Sequence, residues 1–252
     1  MTTLDSQLAN CRDYWLAWDR SGSADDGLSY YRSGLPHGQL NGVLRATSGD
    51  LVDEHADEVT DRLRDVPWMW WVGPDSAPGV ADRLTARGAE LLGAAPVMAI
   101  PLDRPVTYDL SPEVKIDPVE TDAALAEWVS VFCSCFGVPA AAVDDTRRVE
   151  AERTDAGPVV RLAATVEGRM VGTVLMLAAQ DVAGIYVVST LPEYGRRGIG
   201  TALTATALDA GRERGLRVGT LQASPPGEPV YRRMGFTKIA EYHQYQLPEP
   251  AT

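Results

Sequence analysis

Residues 182–208 read VAGIYVVSTLPEYGRRGIGTALTATAL, and the meaning of their middle decides the fold. The apolar, β-branched run Val182–Thr190 predicts a strand. From Ile199 onward, Leu203, Ala207 and Ala210 recur at three- and four-residue spacing, which predicts a helix that Gly215 closes. Between strand and helix stand Gly195, Arg196, Arg197, Gly198 and Gly200. Glycines at such a junction let the backbone come close to a ligand, and the first amides of a helix have no carbonyl partner. Those amides and the helix dipole favour an anion, typically phosphate. Arg196 and Arg197 add charge suited to a pyrophosphate, and Thr201 adds a hydroxyl. A tight turn with solvent-facing arginines is the plainer reading of the same residues. A dinucleotide fingerprint is excluded, because the third glycine is missing and the preceding strands pattern as a hairpin. A P-loop is excluded too, since no Gly-Lys-Ser/Thr follows.

The flanking chain builds a mixed α/β domain. EVKIDPVE (113–120) predicts a strand, and Asp122 starts a helix that buries Leu125, Trp128, Phe132 and Phe136. DDTRRVEAERTD (144–155) predicts a second, mostly solvated helix. PVVRLAATV and MVGTVLMLAA, joined at Glu167-Gly168-Arg169, predict an antiparallel hairpin. After the 199–214 helix come a strand in LRVGTLQAS, a short helix in EPVYRRMG and a last strand in FTKIAEYHQYQL. A boundary is expected in the proline-rich IPLDRPVTYDLSPE (100–113), giving domains 1–108 and 109–252. In the first of these YWLAWD predicts a short helix, GQLNGVLRAT a strand, LVDEHADEVTDRLRDV a helix, PWMWWVGP a strand, PGVADRLTARGAE a helix and LLGAAPVMAIPL a strand. Residues 70–102 and 220–247 repeat the order strand, Ser-containing turn, short helix, Gly, strand. Aligning Gly88 with Gly235 sets Leu84 where the second copy has Tyr231.

Bulk properties narrow the function. A formal charge of -12 argues against broad nucleic-acid binding and suits a cationic partner such as an amine. No apolar run is long enough to span a bilayer. MTTLDSQLANCRDYW lacks a signal peptide's basic start and apolar core, so a cytoplasmic location is expected. Cys11, Cys133 and Cys135, with His37, His55 and His243, show no metal-ligand spacing, and no metal is expected.

STLPEYGRRGIGTAL resembles the acetyl-CoA pyrophosphate loop of the GNAT superfamily of N-acetyltransferases, whose pattern is Arg/Gln-x-x-Gly-x-Gly/Ala. YRRMGF resembles the same superfamily's late motif, a Tyr four residues before Gly-Phe. The elements from Glu113 to Leu247 follow the family's order. One position departs: Gly195 stands where Arg or Gln is usual. The resemblance implies an α/β (α+β) fold of two GNAT-like domains, each a mixed, mostly antiparallel sheet flanked by helices. It implies acetyl-CoA as cosubstrate, held by Val187, Val188, Ser189, Thr190, Gly195, Arg196, Arg197, Gly198, Ile199, Gly200, Thr201, Ser224 and Tyr231. Within that set Val188 N–H is the oxyanion donor, Ser189 and Thr190 line the pantetheine arm, and Tyr231 is the general acid. For the base, Glu228, Asp181 and ordered water stand as candidates. The N-terminal half, where ATSGDLVDEHADEV (46–59) puts carboxylates at the expected cradle, is read as a degenerate copy. A small-molecule amine is the expected acceptor, with a mycothiol-synthase-like enzyme and a non-catalytic CoA-binding protein as alternatives. Homodimerisation stays open.

Overall fold

The computed structural model describes residues 3–19, 27–153, 155 and 158–248. Along these residues run α1 (Leu4–Leu16), β1 (Leu28–Arg32), β2 (Asn41–Ala46), α2 (Asp50–Leu63), β3 (Met69–Val72) and α3 (Val80–Ala86). Then come β4 (Glu90–Pro101), β5 (Val114–Pro118), α4 (Asp122–Phe136), α5 (Val143–Ala151), β6 (Val159–Val166) and β7 (Arg169–Ala179). The chain ends with β8 (Val182–Thr190), α6 (Ile199–Glu213), β9 (Val218–Gln222), α7 (Glu228–Met234) and β10 (Thr237–Gln246). Two compact units form, interleaved in sequence: residues 1–14 with 98–237, the loop unit, and 15–97 with 238–252, the companion unit. The contiguous division expected from sequence, 1–108 and 109–252, partitions the chain differently. The chain start and residues 98–108 lie in the loop unit, and β10 lies in the companion unit.

In the loop unit the strand order is β4-β9-β8-β7-β6-β5. Pairs β5–β6, β6–β7 and β7–β8 are antiparallel and β8–β9 is parallel. A parallel neighbour requires a crossover, and α6 supplies it. Its buried stripe includes Ile199, Leu203 and Ala207, as the spacing predicts, while Ala210 is only half-buried and Leu208 joins the stripe. Glu167 and Gly168 both take positive φ in the β6–β7 turn, which matches the twist of a hairpin. On α4, Trp128 is fully buried and its indole Nε1 donates to Leu162 O at 3.0 Å, fixing the helix to β6.

Two elements of this unit differ from the sequence reading. YWLAWD is only the end of a helix that starts at Leu4. Its Asn10 is buried and donates from Nδ2 to Leu177 O, Ala179 O and Val182 O, so a polar residue serves as an anchor. α5 is mostly exposed, as read, but its inner face is charged: Glu150 is buried together with Arg153, just past the helix end (Thr154 lies outside the described residues). Arg161 Nε donates to Glu150 Oε1 at 2.6 Å, and Arg153 pairs with Asp155 while donating to Tyr14 O. Burial works against the Arg153 charge, but Glu150 and Asp155 more than restore it and hold the guanidinium protonated. Charges survive in such a place only when paired and hydrogen-bonded.

The companion unit orders its strands β1-β2-β3-β10-β4. It too holds one parallel pair, β2–β3, bridged by α2, between antiparallel neighbours. α2 and α3 bury Val52, Ala56, Val59, Leu63, Val80 and Leu84 with Val43 and Trp70. Trp71, pointing the other way along β3, packs near Trp15 and edge-on to Tyr242. The tryptophans of PWMWWVG are thus packing residues on alternate faces. Short β1, LSYYR, escaped the sequence reading.

Candidate active site

The junction after β8 is a single 3-10 turn, Pro192–Tyr194, followed by Gly195, Arg196, Arg197 and Gly198. Gly198 is left-handed (φ 76°) and serves as the N-cap of α6 without a side-chain bond. The first intrahelical bond runs from Ala202 N to Gly198 O at 2.9 Å. The amides of Ile199, Gly200 and Thr201 therefore have no carbonyl inside the helix, and no carboxylate stands in this first turn. Arg196 and Arg197 are exposed beside these donors. Tyr194 lies between two cations, Arg197 at 5.2 Å and Arg169 at 5.6 Å from its ring centroid. Arg197 is also 3.6 Å from the Glu113 carboxylate.

The departure at Gly195 has a backbone counterpart. Gly195 sits at φ -59°, ψ 156°, a conformation open to any residue, whereas Arg196 takes φ 61°, where glycine is favoured. By dihedral angle alone the arginine occupies the glycine-like position, while a Cβ on Gly195 would press on Pro192 O at 3.1 Å.

Beneath the loop β8 parts from β9. Their ladder covers only Ala183–Gly219 and Gly184–Thr220. On the other edge the β7–β8 register shifts between Thr173 and Leu175, so Val187 and Val188 stand opposite Val174 alone. Val187 takes φ 44° there. Such a bulge breaks the regular ladder and re-aims its peptide groups. Thr173 Oγ1 braces it, donating to Val187 O at 2.8 Å and lying 2.7 Å from Ser189 Oγ. Cys135 of α4 lies near Ser189, and burial raises its pKa. The fork, the bulge and the helix start therefore lie on consecutive residues, Val187 to Thr201.

Tyr231 lies half-buried on α7, edge-on to Phe236, with its phenol near Thr204, one turn into α6. Burial pushes its pKa up to about 12, and the nearby Thr204 hydroxyl only partly opposes that. Thr204 itself donates to Gly200 O at 2.8 Å in the first turns of α6. Ser224 caps the turn before α7, accepting from Gly227 N at 3.3 Å. Glu228 is held by Arg232, whose Nε and Nη2 donate to Oε1 at 3.0 and 2.5 Å. Asp181 turns the β7–β8 hairpin, at the opposite end of β8 from the loop. The structure thus gathers Val187–Thr190, the 195–201 loop and Tyr231. It leaves Asp181 apart and engages Glu228 with an arginine.

The bulge, Thr173 and Thr204 escaped the sequence reading. Val187-Val188 reads as ordinary strand, and hydroxyls inside a strand or helix carry no local signal. Among the described residues no three His, Cys, Asp or Glu side chains gather as a metal site, and no helix is long and apolar enough to cross a membrane.

The start of α2 in the companion unit is built differently. Its first turn carries Asp50 and Asp53, and Arg83 of α3 bonds both, at 2.8 Å to Asp50. A Cβ on Gly49 would lie 2.8 Å from Arg83 Nε, so that side chain crosses the helix start.

Residues 125–236 match the model of the Acetyltransferase (GNAT) family, a stretch lying wholly inside the loop unit. A GCN5-related N-acetyltransferase from Kribbella flavida superposes with a TM-score of 0.75 at 16% identity, covering 100% of this chain and 98% of the other. A tandem GNAT protein from the clavulanic acid biosynthesis pathway gives 0.63 at 14% identity over 97% and 95%. A GCN5-related N-acetyltransferase from Sphaerobacter thermophilus gives 0.62 at 20% over 77% and 65%. No curated protein matches the chain. The fold is that of a tandem GNAT protein, a mixed and mostly antiparallel sheet arrangement flanked by helices, and the acetyltransferase sequence pattern falls on the unit that carries the loop.

Proposed function

We propose that the chain is an acetyl-CoA-dependent N-acetyltransferase that acetylates a small primary amine by direct attack, using the loop unit. One observation carries this reading: a bulged strand, a parted parallel neighbour and an uncapped helix start occur on consecutive residues, Val187 to Thr201. The open amides of Ile199–Thr201, with Arg196 and Arg197, suit the pyrophosphate. The parted strands suit the pantetheine arm, lined by Ser189 and Thr190. Val188 N–H, in the bulge, suits the thioester carbonyl as it becomes an oxyanion.

In the reaction the neutral amine nitrogen attacks the thioester carbon, the new C–N bond forms, and the C–S bond breaks to release the CoA thiolate. The proton lost by the amine passes to water, since Glu228 is occupied by Arg232 and Asp181 is remote. With its pKa near 12, Tyr231 stays protonated throughout the neutral range. It therefore stabilises the leaving sulfur by donating a hydrogen bond. The companion unit is read as a degenerate copy that holds no CoA, because Asp50, Asp53 and Arg83 fill its helix start with their own ion pairs.

The test is CoA thiol release across polyamines, amino acids, aminoglycosides and peptides, beside calorimetric binding of acetyl-CoA. Turnover with at least one amine is expected. Acetyl-CoA binding without thiol release would leave a CoA-responsive binding protein, and no binding at all would reject the site.

A further inference from the structure

Two residues beyond their last paired positions, β8 and β9 present Tyr186 and Gln222 to the same face of the loop unit. That face is the one away from α6. A Cβ on Gly219 would meet Leu208 of α6, while one on Gly184, the partner of Thr220, would meet Asn10 of α1. Alternate strand residues share a face, so Tyr186 and Gln222 follow Gly184 and Thr220. They flank the point where the strands separate.

The two side chains differ sharply in how their polar atoms are satisfied. The Tyr186 ring stacks on Tyr14 with centroids 3.7 Å apart, and its hydroxyl donates to Asn10 Oδ1 at 2.6 Å. The Gln222 Nε2 is buried and has no hydrogen-bond partner among the described residues. A buried amide nitrogen left unpaired is costly and uncommon, and a ligand that completes its bonding accounts for its retention. Nothing in the strand pattern itself calls for a glutamine here, since an apolar side chain would close the same space without that cost.

We propose that Gln222 positions the acceptor, donating a hydrogen bond to an oxygen of the amine-bearing molecule. Acceptors then carry a carbonyl, carboxylate or hydroxyl oxygen close to the amine, and bare alkylamines and polyamines are poor substrates. The inference rests on the acetyltransferase reading and narrows its substrate class. A site built to bond an oxygen rejects the analogue lacking it far better than an apolar pocket rejects an extra methylene.

The test measures kcat/KM for ethanolamine, glycinamide and propylamine with saturating acetyl-CoA, in the wild type and in Gln222→Leu and Gln222→Met. The expected result is that the oxygen-bearing amines exceed propylamine by at least about tenfold in the wild type. In both variants the ratio falls toward one through a raised amine KM, with acetyl-CoA affinity kept and the melting temperature not lowered. Equal rates in the wild type, or a ratio that survives both substitutions, would overturn the assignment while leaving the acetyltransferase reading intact. Wild-type discrimination needs no variant to fold. Thiol release with none of the three amines, nor with the broader set, would overturn the reading and this inference together.

Discussion

The two units each hold one parallel strand pair bridged by a helix, β8-α6-β9 and β2-α2-β3, and the two helix starts are electrostatic opposites. At α6 the first turn has no carboxylate, the N-cap is a left-handed glycine, and two arginines stand outside. At α2 the first turn carries Asp50 and Asp53, which already answer the helix dipole, and Arg83 lies across them. The lesson is that topology supplies an anion site wherever a strand runs into a helix, and side chains decide whether it stays open. A carboxylate in the first turn stabilises its own helix by about 0.3–1 kcal/mol and removes the site in doing so.

The comparison breaks first if the units are separable. The loop unit draws on residues 1–14 and 98–102: Asn10 holds three carbonyls, and Leu102 N donates to Arg217 O at 2.9 Å. A fragment 109–252 lacks all of these and is expected to show no cooperative thermal transition by circular dichroism. A sharp melt in that fragment, with acetyl-CoA binding retained, would show that the unit is contiguous in sequence after all.

The aligned positions Leu84 and Tyr231 give the next contrast. Leu84 is fully buried in the companion unit's core, and Leu84→Ala should cost about 2–5 kcal/mol of stability with unchanged turnover in the fraction that folds. Tyr231→Phe should instead lower kcat by about 100-fold while leaving acetyl-CoA affinity and the melting temperature nearly unchanged. A Tyr231→Phe enzyme with full turnover would remove the phenol from the mechanism and reduce it to a packing residue like its counterpart.

The helix starts themselves can be exchanged in effect. Gly198→Ala places a Cβ at φ 76° and 3.0 Å from Asp109 O, so acetyl-CoA affinity should drop about tenfold, given a local cost of about 1–2 kcal/mol. Asp50→Asn and Asp53→Asn, at the other start, should leave that affinity unchanged in a calorimetric titration. An effect of the aspartate substitutions as large as that of Gly198→Ala would mean both units bind the same ligand.

Much of this was legible before the structure. Glycines and arginines between a β-branched run and a 3.6-residue repeat mark β8, the loop and α6, because those residues are chosen for local backbone reasons. The Tyr231–Phe236 segment is legible for the same reason, since Gly235 ends α7 in the left-handed conformation. What stayed hidden was tertiary. Val187-Val188 looks like any strand, and its bulge comes from pairing with β7. Asn10, Glu150 and Arg153 look like surface residues until their partners, distant in sequence or folded back on them, are seen to bury them. The orphaned Gln222 nitrogen is invisible in sequence because only burial makes it unusual.

The titration of Tyr231 sharpens the mechanism rather than the architecture. Burial raises its pKa from the usual 10 to about 12, so the neutral phenol is favoured in the folded protein. The corresponding stability is fully present below pH 10 and is lost as pH rises through 12. The rate should accordingly rise with pH as the amine deprotonates and show no descending limb from Tyr231 below about pH 11. A descending limb below pH 10 that vanishes in Tyr231→Phe would show a phenol that ionises far more readily than its surroundings allow.

The smallest effect concerns Gly195 and Arg196. Arg196 in the left-handed region costs about 1 kcal/mol, and Gly195 beside it has dihedral angles open to any residue, though a Cβ there would lie 3.1 Å from Pro192 O. Exchanging them, Gly195→Arg with Arg196→Gly, keeps composition and charge while matching each residue to its dihedral angles. The double variant is expected to be stabler by less than about 1 kcal/mol in urea unfolding, since the left-handed strain is removed but a Cβ at position 195 presses on Pro192 O at 3.1 Å. Its effect on acetyl-CoA affinity separates two roles for the arginine. If Arg196 only contributes field at the helix start, moving its charge by one residue leaves affinity within about twofold, because exposed charges act weakly over such distances in water. If it reaches a phosphate directly, the geometry of the left-handed residue aims it there, and the exchange weakens binding even as the fold gains stability. A variant that is both less stable and weaker in binding would show that the present order of glycine and arginine suits the loop better than its dihedral angles imply.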